Sequence, residues 1–273
     1  MNKLFDDMPE LMLREDEYLD EETGLICCKH CNSPRQKELN LGDRKLKVRC
    51  LCICEAVKQE MTKDAARRQE RGDRITQYRS VGLAEKALRR CTFENDLGYN
   101  PEIGKAKKYV EHWDEMQRDS TGLLFWGDVG TGKTFIAACI ANALIDQGVP
   151  VMMTNFSRVL SDLPGLFSGD RNRYIDSFKR YPLLIIDDLG VERSSEFALE
   201  QVFNIVDGRY RAKLPLIVTT NLTLQELKNP DSLAKARIYD RVLERCVPVR
   251  INNRNIRQEN ARVAMERAKE LLV

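Results

Sequence analysis

No apolar run in the 273 residues approaches the roughly 18 needed for a membrane-spanning helix, which excludes a bilayer-embedded helical protein. The stretch Met1 to Glu22 lacks the basic start and apolar middle of an export signal, so the chain reads as cytoplasmic. An excess of one charge is also missing. Against 44 Lys and Arg stand 42 Asp and Glu, a net charge of +2. That is not the strongly basic balance of a nucleic-acid-binding domain, so any DNA contact has to come from a local patch. There are no internal repeats and no low-complexity tracts. What is present is 42% hydrophobic residues, enough for a proper core, and 32% charged residues, a well-hydrated surface. The length fits one large domain or a medium one with a small attachment.

Three parts can be drawn. Residues 1–54 hold an acidic lead (Asp6, Asp7, Glu10, Glu15, Asp16, Glu17, Asp20, Glu21, Glu22) and then a cysteine-rich segment. Residues 55–89 form a linker. From Glu55 to about Tyr78 it is highly charged and free of Pro, with Val57, Met61, Ala65 and Ala66 in a sparse pattern that predicts an exposed helix. Residues 90–273 alternate short apolar runs with helical segments, the pattern of an α/β domain with a parallel sheet. Strands are expected at Leu123–Trp126, Val151–Thr154, Leu183–Ile186 and Leu216–Thr219, with a fifth alternating through Val247, Val249 and Ile251. Helices are expected from Phe135 to Ile145, from Ser194 or Ser195 onward, and after the capping-box pattern Thr223 to Glu226.

The strongest chemical signal is Gly127-Asp128-Val129-Gly130-Thr131-Gly132-Lys133-Thr134, followed by Phe135. Its glycines let successive amides point inward at a phosphate, and the helix that follows adds its positive end. Lys133 reaches the β- and γ-phosphates and the Thr134 hydroxyl binds Mg²⁺. An apolar strand before the loop and a helix after it supply the context the motif requires. Asp187 and Asp188 end the third strand, where an α/β sheet binds ligands. Asp187 holds Mg²⁺ and Asp188 orients or deprotonates the attacking water, although Asp is a methylene shorter than the Glu usual in such machines. Asn221, at the end of the fourth strand, is placed to position that water; an asparagine there also suits a plain turn.

Taken in order, these motifs resemble the AAA+ ATPases of the DnaC/DnaI helicase-loader group, which is itself similar to the IstB transposition ATPases. The resemblance runs over residues 90–260 and adds Asp207-Gly208-Arg209-Tyr210, Ala236-Arg237 to Arg241, and Asn255-Ile256-Arg257. It implies an ATPase needing ATP and Mg²⁺, with Asn221 as sensor 1, Arg257 as sensor 2 and Arg237 as the arginine finger. The finger reaches a neighbouring subunit's ATP, so the resemblance implies self-association through the ATPase domain. Arg241, one turn on, is the competing finger. At sensor 2 the group often has Ser-Tyr-Arg, from which Asn255-Ile256-Arg257 departs. The group binds single-stranded DNA, and Ser157–Arg180 falls where it carries an added helical insert. Here Arg158, Arg171, Arg173, Lys179 and Arg180 interleave with Phe167, Tyr174 and Phe178, a pattern suited to a single strand.

Of nine cysteines, six crowd between Cys27 and Cys54. Cys28-x2-Cys31, some twenty residues, then Cys50, Cys52 and Cys54 is zinc-ribbon spacing, with Lys45–Val48 a short strand after a Gly42-Asp43 turn. About fifty residues bury too little apolar surface to fold unaided, whereas a structural zinc contributes roughly 10–16 kcal/mol. The expected ligands are Cys28, Cys31, Cys52 and Cys54, with Cys50 the substitute; His30 points away. Cys91, Cys139 and Cys246 read as small core residues. A ribbon beside such an ATPase resembles the helicase-gripping domain of DnaI-type loaders. The whole then reads as an ATP-dependent loader of a hexameric replicative DNA helicase. An IstB-like transposition ATPase and an ATP-gated zinc scaffold with little turnover are the alternatives; the ribbon argues against the first.

Overall fold

The computed structural model describes residues 13–42, 44–165, 167–190 and 195–272; Asp6, Asp7, Glu10, Asp43 and Ser194, named above, lie outside them. The chain divides into two compact units, Met1–Gly72 and Asp73–Val273.

In the first unit β1 (Glu17–Leu19) pairs antiparallel with β2 (Ile26–Cys28), and β3 (Gln36–Leu41) with β4 (Arg44–Arg49). The predicted strand Lys45–Val48 is therefore the middle of β4. Buried apolar side chains among its described residues amount to Ile26, Cys27, Cys28 and Cys52. Glu17, counted above in the acidic lead, is buried as well. Its carboxylate accepts from Arg49 Nη1 at 2.7 Å, Arg35 Nη1 at 3.2 Å and the Arg14 amide at 3.0 Å. Burial alone would raise its pKa, but these donors overcome burial and hold it at about 2. The exposed helix expected from Glu55 to about Tyr78 is α1 (Ile53–Gly82), a few residues longer at each end. Val57 and Met61 are exposed on it, as their sparse spacing predicts.

The second unit is built on five parallel strands: β5 (Gly122–Trp126), β6 (Val151–Asn155), β7 (Leu183–Leu189), β8 (Leu216–Thr220) and β9 (Cys246–Arg250), in the order β6-β7-β8-β5-β9. Side chains alternate between two cores. Leu123, Phe125, Leu183 and Ile185 join a cluster with Ile136, Ile140 and Leu144 of α4 (Lys133–Asp146) and Tyr109 and Trp113 of α2 (Ile103–Glu111) and α3 (Trp113–Arg118). Leu124, Leu184 and Ile186 face the other way, onto α7 (Glu196–Arg211) and α9 (Leu233–Arg245). Burial on both faces is why these strands read as unbroken apolar runs. β9 is an edge strand; its Val247 is exposed and its Val249 buried, and it stops at Arg250, one residue before the buried Ile251. The expected N-terminus of α7 is capped by Ser195, which accepts from the Ala198 amide. At α8 (Leu224–Lys228) the Thr223–Glu226 capping box is complete. Among the described residues no helix is long and apolar enough to cross a membrane.

Candidate functional site

The glycine-rich loop joins β5 to α4. Gly127, Gly130 and Gly132 have φ of 140°, 81° and 98°, a region that side chains rarely adopt. Space is also short at two of them, against backbone at Gly127 and against a side chain at Gly130. A Cβ on Gly127 would lie 2.4 Å from the Ile251 carbonyl oxygen, and one on Gly130 would lie 2.1 Å from Asn255 Oδ1. Lys133, at the first turn of α4, is buried, and its Nζ donates to the carbonyls of Gly127 at 2.8 Å and Asp128 at 2.7 Å. Burial lowers its pKa against the pull of Asp188, Asp187 and Asp128. An anion at the loop would favour the charged ammonium.

The Thr134 hydroxyl donates to both oxygens of Asp187, at 2.9 and 3.1 Å, and the Thr219 hydroxyl donates to Oδ1 at 2.6 Å. Burial raises the Asp187 pKa. A hydroxyl and a carboxylate thus meet beside the phosphate loop, the hard-oxygen pair Mg²⁺ prefers. Asp188 has φ +58°, and the register of β7 on β8 slips between Ile186 and Leu189. With this bulge the two consecutive carboxylates differ in setting, Asp187 on the Thr134 and Thr219 hydroxyls and Asp188 in the wall of the cavity beside the loop. Thr219 fixes both: its hydroxyl also accepts from the Asp188 amide at 2.9 Å. Thr219 belongs to no motif of its own, although it sits in the run that ends at Asn221.

A cavity of about 380 Å³ opens here, lined by Val129, Gly130, Gly132, Lys133, Thr134 and Phe135 of the loop and helix, and by Asp188, Asn221, Ile256 and Arg257. Lys133, Asp188, Asn221 and Arg257 are therefore brought together, while Asp187 stands behind them on Thr134. The Asn255 segment is anchored to the loop, with Ile256 N donating to the Gly130 carbonyl at 3.0 Å. The remaining wall had no motif to reveal it: Asn95, Asp96, Leu97, Tyr99 and Asn100, together with Cys91. Cys139 and Cys246 are buried core residues as expected, but Cys91 is half-buried and reaches the cavity.

The two arginines of α9 differ. Arg241 is engaged within its own chain, with Nε 2.8 Å from Asp207 Oδ1 and its guanidinium 4.8 Å from the Phe203 ring. Arg237 is exposed. The Asp207–Tyr210 segment is architectural. Asp207 also pairs with Arg211, and buried Arg209 donates to the carbonyls of Phe178, Tyr181, Pro182 and Pro215. Between β6 and β7 the insert forms α5 (Phe156–Asp162) and α6 (Ser168–Ser177). Of its aromatics only Phe167 stands in solvent. Phe178 is buried, because it completes the core under α7, and Tyr174 packs edge-on against it and donates to Asp162. Arg173 and Lys179 pair with Asp170 and Asp176.

In the first unit Cys28, Cys31, Cys52 and Cys54 place their sulfurs within 4.8 Å of one another. Four sulfurs about 2.3 Å from one zinc lie about 3.8 Å apart, which this cluster fits. The Cys28–Cys54 and Cys52–Cys54 separations are 3.6 and 3.3 Å. Mutual hydrogen bonding pushes the Cys54 thiol up to about 12, while the Ser33 hydroxyl pulls Cys31 down to about 5. Crowded thiols resist joint ionisation, and a divalent cation removes that resistance. Cys50 turns instead to the Pro34 carbonyl at 3.7 Å, and His30 is exposed outside the cluster.

A family model described as IstB-like ATP binding protein matches residues 50–264. The replicative helicase loader DnaC of Escherichia coli (strain K12) is 29% identical over 159 residues, 56% of this chain and 62% of DnaC. DnaC of Buchnera aphidicola subsp. Schizaphis graminum (strain Sg) is 29% identical over 160 residues, 56% and 63%. The matched region thus spans under two thirds of these relatives. Among solved structures, DnaI is 27% identical with a TM-score of 0.53, covering 63% of this chain and 93% of DnaI. The DnaC helicase loader is 22% identical with a TM-score of 0.53, covering 62% and 100%, a likeness of fold alone.

Proposed function

The chain belongs to the family of IstB-like ATP-binding proteins, and from that premise we propose that it hydrolyses ATP to load a hexameric replicative DNA helicase in the cytoplasm. The observation that carries the catalytic half is the convergence of Lys133, Thr134, Asp188 and Asn221 on one cavity, with Asp187 hydrogen-bonded to Thr134 behind it. The loop residues 127–135 hold the phosphates, with Lys133 releasing its two carbonyls to bind them. Thr134 and Asp187 hold Mg²⁺, which neutralises phosphate charge. Asp188 and Asn221 orient the attacking water, and Arg257 binds the terminal phosphate from α10 (Ile256–Leu272).

Arg237, exposed on α9, acts as the finger on a neighbouring copy's nucleotide, since Arg241 is spent on Asp207. Hydrolysis then depends on self-association. Phe167 and the basic side chains of the insert contact single-stranded DNA, a narrower platform than three aromatics would give. The zinc module around Cys28, Cys31, Cys52 and Cys54 docks on the helicase, the helical linker carries it, and the ATPase domain supplies the nucleotide dependence.

The test is co-purification with a replicative helicase, scored with and without ATP for the wild type and Lys133→Ala. ATP-dependent capture that the substitution abolishes supports the reading. Capture of a transposase instead would place the chain with the transposition ATPases, and absent hydrolysis with unaltered capture would leave a scaffold.

A further inference from the structure

The cavity walls separate by chemistry. Lys133, Thr134, Asp188, Asn221 and Arg257 suit phosphates, whereas Leu97, Tyr99, Val129 and Ile256 suit a flat heterocycle. This second, base end is made from stretches more than 150 residues apart in the chain, 95–100 and 254–257. Each is tied to the phosphate loop on its own: Asn100 Nδ2 donates to the Thr131 carbonyl at 3.4 Å, and Ile256 N donates to the Gly130 carbonyl at 3.0 Å. To each other they are joined at the rim. The Arg254 guanidinium lies 4.4 Å from the centre of the Tyr99 ring, and its Nε lies 2.9 Å from Glu259 Oε2 in the first turn of α10.

We propose that Tyr99 and Arg254, with Glu259 holding Arg254, form a latch across the base end of the nucleotide cavity and set how long a nucleotide stays bound. The proposal rests on the nucleotide reading above. A contact that supports the fold would be buried; this one is not, with Tyr99 at 36% exposure and the Arg254 side chain at 54%. An exposed guanidinium–ring contact is weak enough to open thermally, as an entrance requires, and strong enough to slow departure by about two- to fivefold.

The experiment compares the dissociation rate of a ribose-labelled fluorescent ADP with the affinity for inorganic tripolyphosphate, which has no base to retain. In Arg254→Ala, ADP is expected to leave about two- to fivefold faster while tripolyphosphate affinity stays as in the wild type. Tyr99→Phe keeps the ring and the wild-type rate. Adding Arg254→Ala to Tyr99→Ala produces no further acceleration, because the contact is already gone. Wild-type ADP dissociation in Arg254→Ala overturns the latch. So does a parallel loss of tripolyphosphate, which would make Arg254 a mere support of the loop. If the wild type held neither probe saturably, the nucleotide reading would fall and the latch with it.

Discussion

In Asp73–Val273 both faces of a parallel sheet are covered by apolar helices, and the two core clusters account for its order. In Met1–Gly72 the described residues bury one isoleucine, three cysteines, and the charged or polar Glu17, Ser33, Arg35 and Gln36. The larger unit therefore holds its site by ordinary burial, whereas the smaller has polar links and the four-cysteine cluster proposed above to hold zinc. Removing the metal is the strongest way to break this contrast. Chelation is expected to cost the first unit about 10–16 kcal/mol, as large as a domain's whole stability, and Cys52→Ser to lose much of that. Calorimetry should show its transition vanish while that of the sheet persists. A persistent first transition would mean that the small unit has a core of its own.

The second unit can be made to lose function without losing stability. Arg237→Ala is expected to lower the hydrolysis rate about 10³–10⁵-fold with an unchanged melting temperature, since the side chain is exposed. Mixing it with Lys133→Ala should restore part of the activity, because a trans finger and an intact loop then meet at shared boundaries. If Arg241→Ala alone removed the activity, the finger would lie one turn further along α9.

The two units also differed in how readable they were. The strands of the larger one announce themselves as apolar runs, and the loop, Asp187 and Asn221 fall at strand ends where an α/β sheet keeps its ligands. Hidden there were features that depend on what becomes adjacent in space. The slip that gives Asp188 its φ of +58°, the Thr219 hydroxyl beneath both carboxylates, and the cavity wall at 95–100 carry no local period or motif. Phe178 looked like a platform because its helix is charged, but that helix packs on α7 and the ring goes inward. In the smaller unit the reverse holds. Spacing picks out Cys28, Cys31, Cys52 and Cys54, whose sulfurs do cluster, whereas nothing in the sequence separates Glu17 from its acidic neighbours, because Arg35 and Arg49 close on it only in the fold.

Glu17 sharpens the contrast at intermediate size. Glu17→Gln removes the buried charge that Arg35 and Arg49 share, and is expected to destabilise the zinc-loaded first unit by about 3 kcal/mol. Its pH dependence has a definite sign. The folded carboxyl sits at about 2 against an ordinary value of 4.5, so its contribution is complete above about 4.5 and is lost as pH falls toward 2. The gap between wild type and Glu17→Gln should therefore narrow across that window. Comparing the two proteins cancels the thiolates, which titrate in both.

The smallest effect expected is at Cys50, and it tests whether metal or crowding organises the cysteines. If six clustered thiols simply made an apolar, polarisable core, replacing any one would cost a similar amount. Four of the sulfurs instead lie within 4.8 Å of one another, while that of Cys50 rests on the Pro34 carbonyl at the surface. Cys50→Ser should leave one zinc per chain and shift the first unit's stability by less than about 0.5 kcal/mol, the usual range for a surface change. Cys31→Ser, equally conservative, should lose the metal because three thiolates leave the tetrahedron open. Zinc titration of the two variants separates the cases. Metal loss in Cys50→Ser would show that the sulfur swings in, and that the ligand set is drawn from five cysteines, not four.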